Sequence, residues 1–169
     1  ETVSLDYTSM NVHLAYSTEG VNYDDLYTDD DPYFLDDHAN TERSIIKWTL
    51  LTALNSKSKG GCIQSSKLRM QEKGLDDSDM DYHKLLDSLY SKHGSIKDLF
   101  YKMNAVHLQY VESCISEYVI SKHVEQGIAV LNIHDEFIVG EKYETITRDI
   151  MKEAFTTLGF VSIPMIKRG

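Results

Sequence analysis

The sequence predicts an α+β fold: a small antiparallel sheet with helices packed on one face and a helical insertion between its first strand and the rest. Three observations predict it. Short apolar, strand-forming runs stand near both ends of the chain, Thr2-Val3-Ser4-Leu5 at one and Val130-Leu131-Asn132-Ile133 followed by Phe137-Ile138-Val139 at the other. The two later runs are separated only by His134-Asp135-Glu136, the spacing of a tight hairpin and therefore of antiparallel strands. Between the end runs apolar residues recur at helical spacing, and 169 residues of which 41% are hydrophobic can bury one good core and carry a small subdomain.

The first strand delivers Asp6, and a helix follows from about Ser9 to Thr18, ending before Gly20. An acidic loop containing Pro32 comes next. From Thr41, read as an N-cap, Ile46, Leu50 and Leu54 mark one apolar face of a helix that ends near Lys59-Gly60-Gly61. Two shorter helices, roughly 63–73 and 81–92, are separated by Gly74 and a second acidic block. A long helix starting at Ile96 or Ala105 runs to Val124, is stopped by Gly127, and feeds the hairpin. Beyond the hairpin, Ile146, Ile150, Ala154 and Phe155 define a helix from Tyr143 to Leu158, and Phe160–Ile163 is predicted to return as an edge strand beside Pro164.

Seventeen Lys and Arg against 27 Asp and Glu give a net charge of −10, the opposite of the basic footprint of most nucleic-acid binders. The acid is localised, however, in Asp24-Asp25, Asp29-Asp30-Asp31 and Asp36-Asp37 and again in Asp76-Asp77-Ser78-Asp79-Met80-Asp81. Between these blocks Lys47, Lys57, Lys59, Lys67, Arg69 and Lys73 form a basic stretch, and charges within a Debye length of ~8 Å can still hold phosphates. Cys62 and Cys114 have no paired spacing, and no Cys/His cluster suggests zinc. There is no run of ~18 apolar residues and no charged-then-apolar leader, so neither a membrane span nor a secretory signal is supported, and a cytoplasmic location is expected. The chain opens directly on its first strand at Glu1, which suggests a piece of something longer, with further domains or subunits N-terminal to it.

The hairpin carries the chemistry. Adjacent carboxylates beside a core are costly unless a metal, a basic partner or exposure at the turn tip compensates them. Asp6 ends a second apolar strand, and a sheet that pairs its strand with the hairpin brings Asp6 and Asp135 to one edge. Two such carboxylates can hold two divalent cations about 3.5–4 Å apart for in-line phosphoryl transfer, and magnesium suits hard oxygen ligands, with manganese as a substitute. Arg43 and Lys47 lie one turn apart on a helix face and could reach one polyphosphate.

These residues carry a resemblance. Asp6-Tyr7-Thr8-Ser9-Met10-Asn11 resembles the first palm motif of family A DNA polymerases, His134-Asp135-Glu136 matches their last palm motif, and Arg43-Ser44-Ile45-Ile46-Lys47 reproduces the start of their fingers helix. Three motifs in the family's order span about 140 residues. The resemblance implies a palm at 1–20 and 95–169, a fingers-like helical insertion at 21–94, and no thumb within these residues. It implies catalysis by Asp6, Asp135 and Glu136. Metal ligation would fall to Asp6, Asp135 and the Tyr7 carbonyl, and triphosphate binding to Arg43 and Lys47. Asn11 and Asn55 stand where the family places its sugar-pocket Glu and Tyr, His13 where it places Arg, and Leu51 where it places an aromatic. His134 and Gln109 are the implied primer and template contacts, with Glu112 on the same helix stretch as Gln109. The related phage-type RNA polymerases use His-Asp-Ser in the last motif.

Simpler readings stand beside these. Arg43 and Lys47 could be a solvated helix face, His134 a satisfied turn residue, and Gln109 and Glu112 polar positions on a long helix. The reading the sequence favours is a template-directed nucleotidyltransferase acting on a primer–template and nucleoside triphosphates, in replication of a phage, plasmid or bacterial element. The alternatives are a degenerate palm serving as a replication or defence accessory and a metal-dependent nuclease.

Overall fold

A computed structural model describes residues 1–28 and 30–169; Asp29, in the first acidic block, lies outside the described residues. Its sheet has four strands, β1 (Thr2–Tyr7), β2 (Val130–Ile133), β3 (Glu136–Gly140) and β4 (Ile166–Arg168), in the order β2-β3-β1-β4. All three pairings are antiparallel, and β1, first in sequence, becomes an inner strand between β3 and β4. The helices are α1 (Met10–Thr18), α2 (Tyr23–Leu26), α3 (Arg43–Asn55), α4 (Lys59–Lys73), α5 (Tyr82–Lys92), α6 (Ala105–Glu125) and α7 (Glu144–Thr157).

Strand alternation decides what is buried. Val3, Leu5 and Tyr7 of β1 and Phe137 and Val139 of β3 point to one face, where α1 contributes Met10 and Leu14, α6 contributes Leu108, Val111, Ile115 and Val119, and α7 contributes Ile150, Met151, Ala154 and Phe155. Helices therefore cover one face of an antiparallel sheet, the predicted class. Tyr7 shows how tightly: its ring meets Phe137 and Phe155 edge-on at 6.2 and 5.1 Å, and its hydroxyl donates to the Met151 carbonyl at 2.6 Å.

The chain divides into two compact units, Glu1–Thr28 with His107–Gly169, and Asp29–Val106. The first holds the sheet. The second is helical, built on α3, α4 and α5, with Ile46, Leu50, Leu54, Met70, Leu85 and Leu89 buried.

Three expectations are corrected. Thr41 does not cap α3; Glu42 occupies that position without a side-chain bond. Gly60-Gly61 do not end a helix but sit in the first turn of α4, where Ser58 caps the helix by accepting from the Gly61 amide at 3.1 Å. Glycine costs little there, because the first amides of a helix have no intrahelical partner for a side chain to disturb and the cap fixes the turn. Phe160–Ile163 is not a strand; the strand is β4, after Pro164, which has no N–H to offer a ladder. Ile96 lies in a 3₁₀ segment, Gly94–Leu99, and the long helix begins at Ala105, the later of its two candidate starts.

Candidate active site

The β2–β3 hairpin closes with Ile133 opposite Glu136, leaving His134 and Asp135 as a two-residue turn. His134 adopts φ 57°, the left-handed region that tight hairpins require and that side chains other than glycine resist. The Asn132 amide holds the turn by donating to the His134 carbonyl at 2.7 Å and the Glu136 carbonyl at 3.3 Å.

The register places Asp6 directly opposite Glu136 on adjacent strands, one residue from Asp135. Cross-strand partners share a face, so Ser4, Asp6 and Glu136 project from the side away from the core. Lys167 is opposite Asp6 on the other flank, and its ammonium lies 3.7 Å from the carboxylate. Ser4 donates to Glu136. Just after β1 the chain turns at Ser9, whose φ of 58° is unusual for serine, and the Thr8 and Ser9 hydroxyls are buried without a hydrogen-bond partner among the described residues.

A fourth carboxylate comes from α6. Glu112 accepts from the Asn11 amide at 2.9 Å, and its carboxyl is pushed above the ordinary range by burial first and by the charge of Asp135 second, against the opposing effects of Asn11 and His134. Glu112, Gln109, Ser116, Ile120, Asn132 and His134 line a groove of about 640 Å³ between α6 and the turn. Gln109 and His134 are thus brought to one surface, and Asn11 is linked to it through Glu112. His13, by contrast, is buried, bonded to Ser162 at 2.9 Å and kept neutral by desolvation. The Tyr7 side chain is in the core, which leaves only its backbone for the implied metal role.

Arg43, Lys47 and Asn55 belong to α3 in the helical unit. Arg43 is exposed yet engaged: Nε and Nη2 grip Asp31 at 2.5 and 2.9 Å, and the guanidinium lies 4.7 Å from the Tyr33 ring centre. Burial raises the Asp31 carboxyl, but the Arg43 bond, the Tyr33 amide and the charges of Arg43 and Lys92 outweigh it and hold the group below its usual range. Asn55 is exposed at the end of the helix.

Among the described residues no three His, Cys, Asp or Glu side chains are gathered closely enough to hold a metal ion. The donor set nevertheless fits magnesium by chemistry. Asp6, Asp135 and Glu136 supply hard oxygens from neighbouring strand ends, and magnesium takes one or two carboxylates and completes its shell with water and substrate phosphates. Glu112 stood out in the sequence only beside Gln109 on the long helix, and Lys167 was not legible as a site residue. A polar residue on a long helix and a lysine near a terminus signal nothing until the pairing of β1 with β3 and β4 is known. No helix among the described residues is long and apolar enough to cross a membrane.

Comparison with known proteins places the fold. No protein-family profile matches the sequence, and no curated protein matches it. Among solved structures, the POL domain of Pol1 from M. smegmatis, in complex with DNA primer-template and dNTP, is similar with a TM-score of 0.60 at 12% sequence identity. The match covers 100% of this chain and 39% of that one, so the chain spans well under half the length of its structural neighbour. What the likeness establishes is a polymerase-like fold.

Proposed function

We propose that this chain is the palm and fingers-like core of a template-directed nucleotidyltransferase of the family A type, acting in the cytoplasm on a primer–template and nucleoside triphosphates, with further domains upstream of Glu1. The observation that carries the reading is the register that sets Asp6 opposite Glu136, beside Asp135 in the turn, within a polymerase-like fold. Asp6 and Asp135, with the Tyr7 carbonyl, would hold two magnesium ions, and Glu136 would assist them. Bound there, the ions would lower the pKa of the primer 3′-hydroxyl and offset phosphate charge.

The chain's own residues do the positioning. The primer oxygen forms a bond to the α-phosphorus as the bond to pyrophosphate breaks, and the hydroxyl proton leaves to water. Arg43 and Lys47 neutralise the departing pyrophosphate, which requires Arg43 to exchange Asp31 for phosphate oxygens. His134 and Gln109, on the groove beside the turn, would contact the primer–template. Asn11 and Asn55 would border the sugar and tolerate a 2′-hydroxyl better than the family's Glu and Tyr, since the shorter amides leave a roomier pocket and can donate to the hydroxyl.

Primer extension with magnesium tests this. Asp135→Asn is expected to abolish nucleotide addition while apo stability holds or rises, because a charge that burdens Glu112 is removed. Unfolding of the variant would make Asp135 a structural turn residue. A second reading, a degenerate palm, is favoured by the pairing of Arg43 with Asp31 and of Asp6 with Lys167, which occupies two of the groups catalysis needs. Failure of extension and of nuclease activity, with nucleic-acid binding intact, would select it.

A further inference from the structure

The basic stretch between the acidic blocks folds onto a single aromatic ring. The Trp48 indole of α3 has Arg69 at 4.8 Å, Lys73 at 5.2 Å and Lys47 at 5.5 Å from its centre, the first two from one face of α4, where residues four apart are neighbours. None of the three cations has a carboxylate within ion-pairing distance among the described residues, although the chain carries 27 acidic residues. Elsewhere in this unit the opposite holds, with Arg43 on Asp31, Lys92 on Asp30 and Lys59 on Asp87. The ring quadrupole offsets only a small part of each exposed cation's charge, so three like charges gathered on one half-buried indole still lack a counter-charge.

We infer that Trp48, Arg69 and Lys73, with Lys47 at the edge, form a docking site for single-stranded nucleic acid on the α3–α4 pair. An unpaired strand supplies both missing partners, phosphates for the guanidinium and ammonium groups and a base face for the indole. A duplex offers the phosphates but keeps its bases stacked on one another. The site shares only Lys47 with the proposed phosphoryl-transfer residues and does not depend on the acidic turn being catalytic.

Trp48 is the chain's only tryptophan, so its fluorescence reports on this site alone. Titration with an oligothymidylate of about ten nucleotides is expected to quench it. The double variant Arg69→Gln/Lys73→Gln removes two exposed charges and should keep the wild-type melting curve by circular dichroism. It is expected to bind at least about tenfold more weakly, with the slope of log K against log salt shallower by about 1.4, or 0.7 per lost phosphate contact. Absence of quenching, an unchanged affinity in the variant, or equal quenching by a duplex or by inorganic polyphosphate would each overturn the assignment. Asp135→Asn separates the two readings: loss of extension failing to appear in that variant would count against catalysis by the turn, while quenching of Trp48 is expected to be the same in it as in the wild type.

Discussion

Glu112 sits in an environment that works against its charge. Half-buried and facing Asp135, it is protonated more readily in the folded chain than in the unfolded one. Between its ordinary 4.5 and its raised value the folded state holds a proton that the unfolded state has released, so stability falls as pH rises through that window. Glu112→Gln keeps an oxygen for the Asn11 amide and removes the charge. It is expected to melt higher than wild type at pH 7 and no differently at pH 4, which thermal melts across pH would check. Lys167 makes the complementary case at Asp6. A divalent ion reaching Asp6 must compete with an ammonium 3.7 Å away, so Lys167→Gln is expected to show a larger magnesium-induced rise in Tm than wild type. An equal rise in the two proteins would mean that Lys167 does not oppose the ion. Asp6, Asp135 and Glu136 could be picked out as strand-end acids from sequence. Lys167 could not, because it matters only through Asp6 at the other end of the chain, and Glu112 showed only as a polar position beside Gln109 until the fold brought Asn11 and Asp135 to it.

At the scale of elements, local rules located most helices, and the exceptions trace to caps. Ser58 and Asp81 cap α4 and α5; Asp81 accepts from the His83 and Lys84 amides at 3.0 and 3.2 Å. Ser58→Ala is expected to cost about 1 kcal/mol, a typical loss for a cap. Thr41→Ala, at the position where sequence alone suggests a cap, should change stability by less than about 0.5 kcal/mol. Denaturant midpoints of the two variants decide the matter, and equal losses would contradict the observed start of α3. The misplaced edge strand has a different origin. Phe160 packs against the core as an irregular segment, and β4 forms where a free N–H returns after Pro164 and β1 offers an open edge. Apolar content marked Phe160 and Ile163, which are partly buried against the core, yet only ladder geometry distinguishes such a coil from a strand.

At the scale of the whole molecule, a net charge of −10 opposes a polyanionic partner, and the few basic residues act only where the fold concentrates them. Since the pI is about 5.0, lowering the pH from 8 to 6 reduces the opposing charge. Nucleic-acid affinity at fixed salt, measured by anisotropy, is expected to rise over that range, and solubility to pass through a minimum near pH 5. An affinity independent of pH would mean that local cations, rather than the molecular field, set binding.

By itself the sequence determined the α+β class, the order of strands and helices, the hairpin with Asp135 at its turn, and the candidate chemistry of paired strand-end carboxylates. These follow from period, turn spacing and residue type, which act over a few residues. Tertiary structure alone decided that Asp6 stands opposite Glu136 rather than Asp135, that Lys167 and Glu112 flank the acids, that Asp31 occupies Arg43, and that three cations meet on Trp48. Strand register and side-chain pairing depend on contacts between distant segments, whose closure entropy is offset only by burying the common core, so no local pattern encodes them one residue at a time.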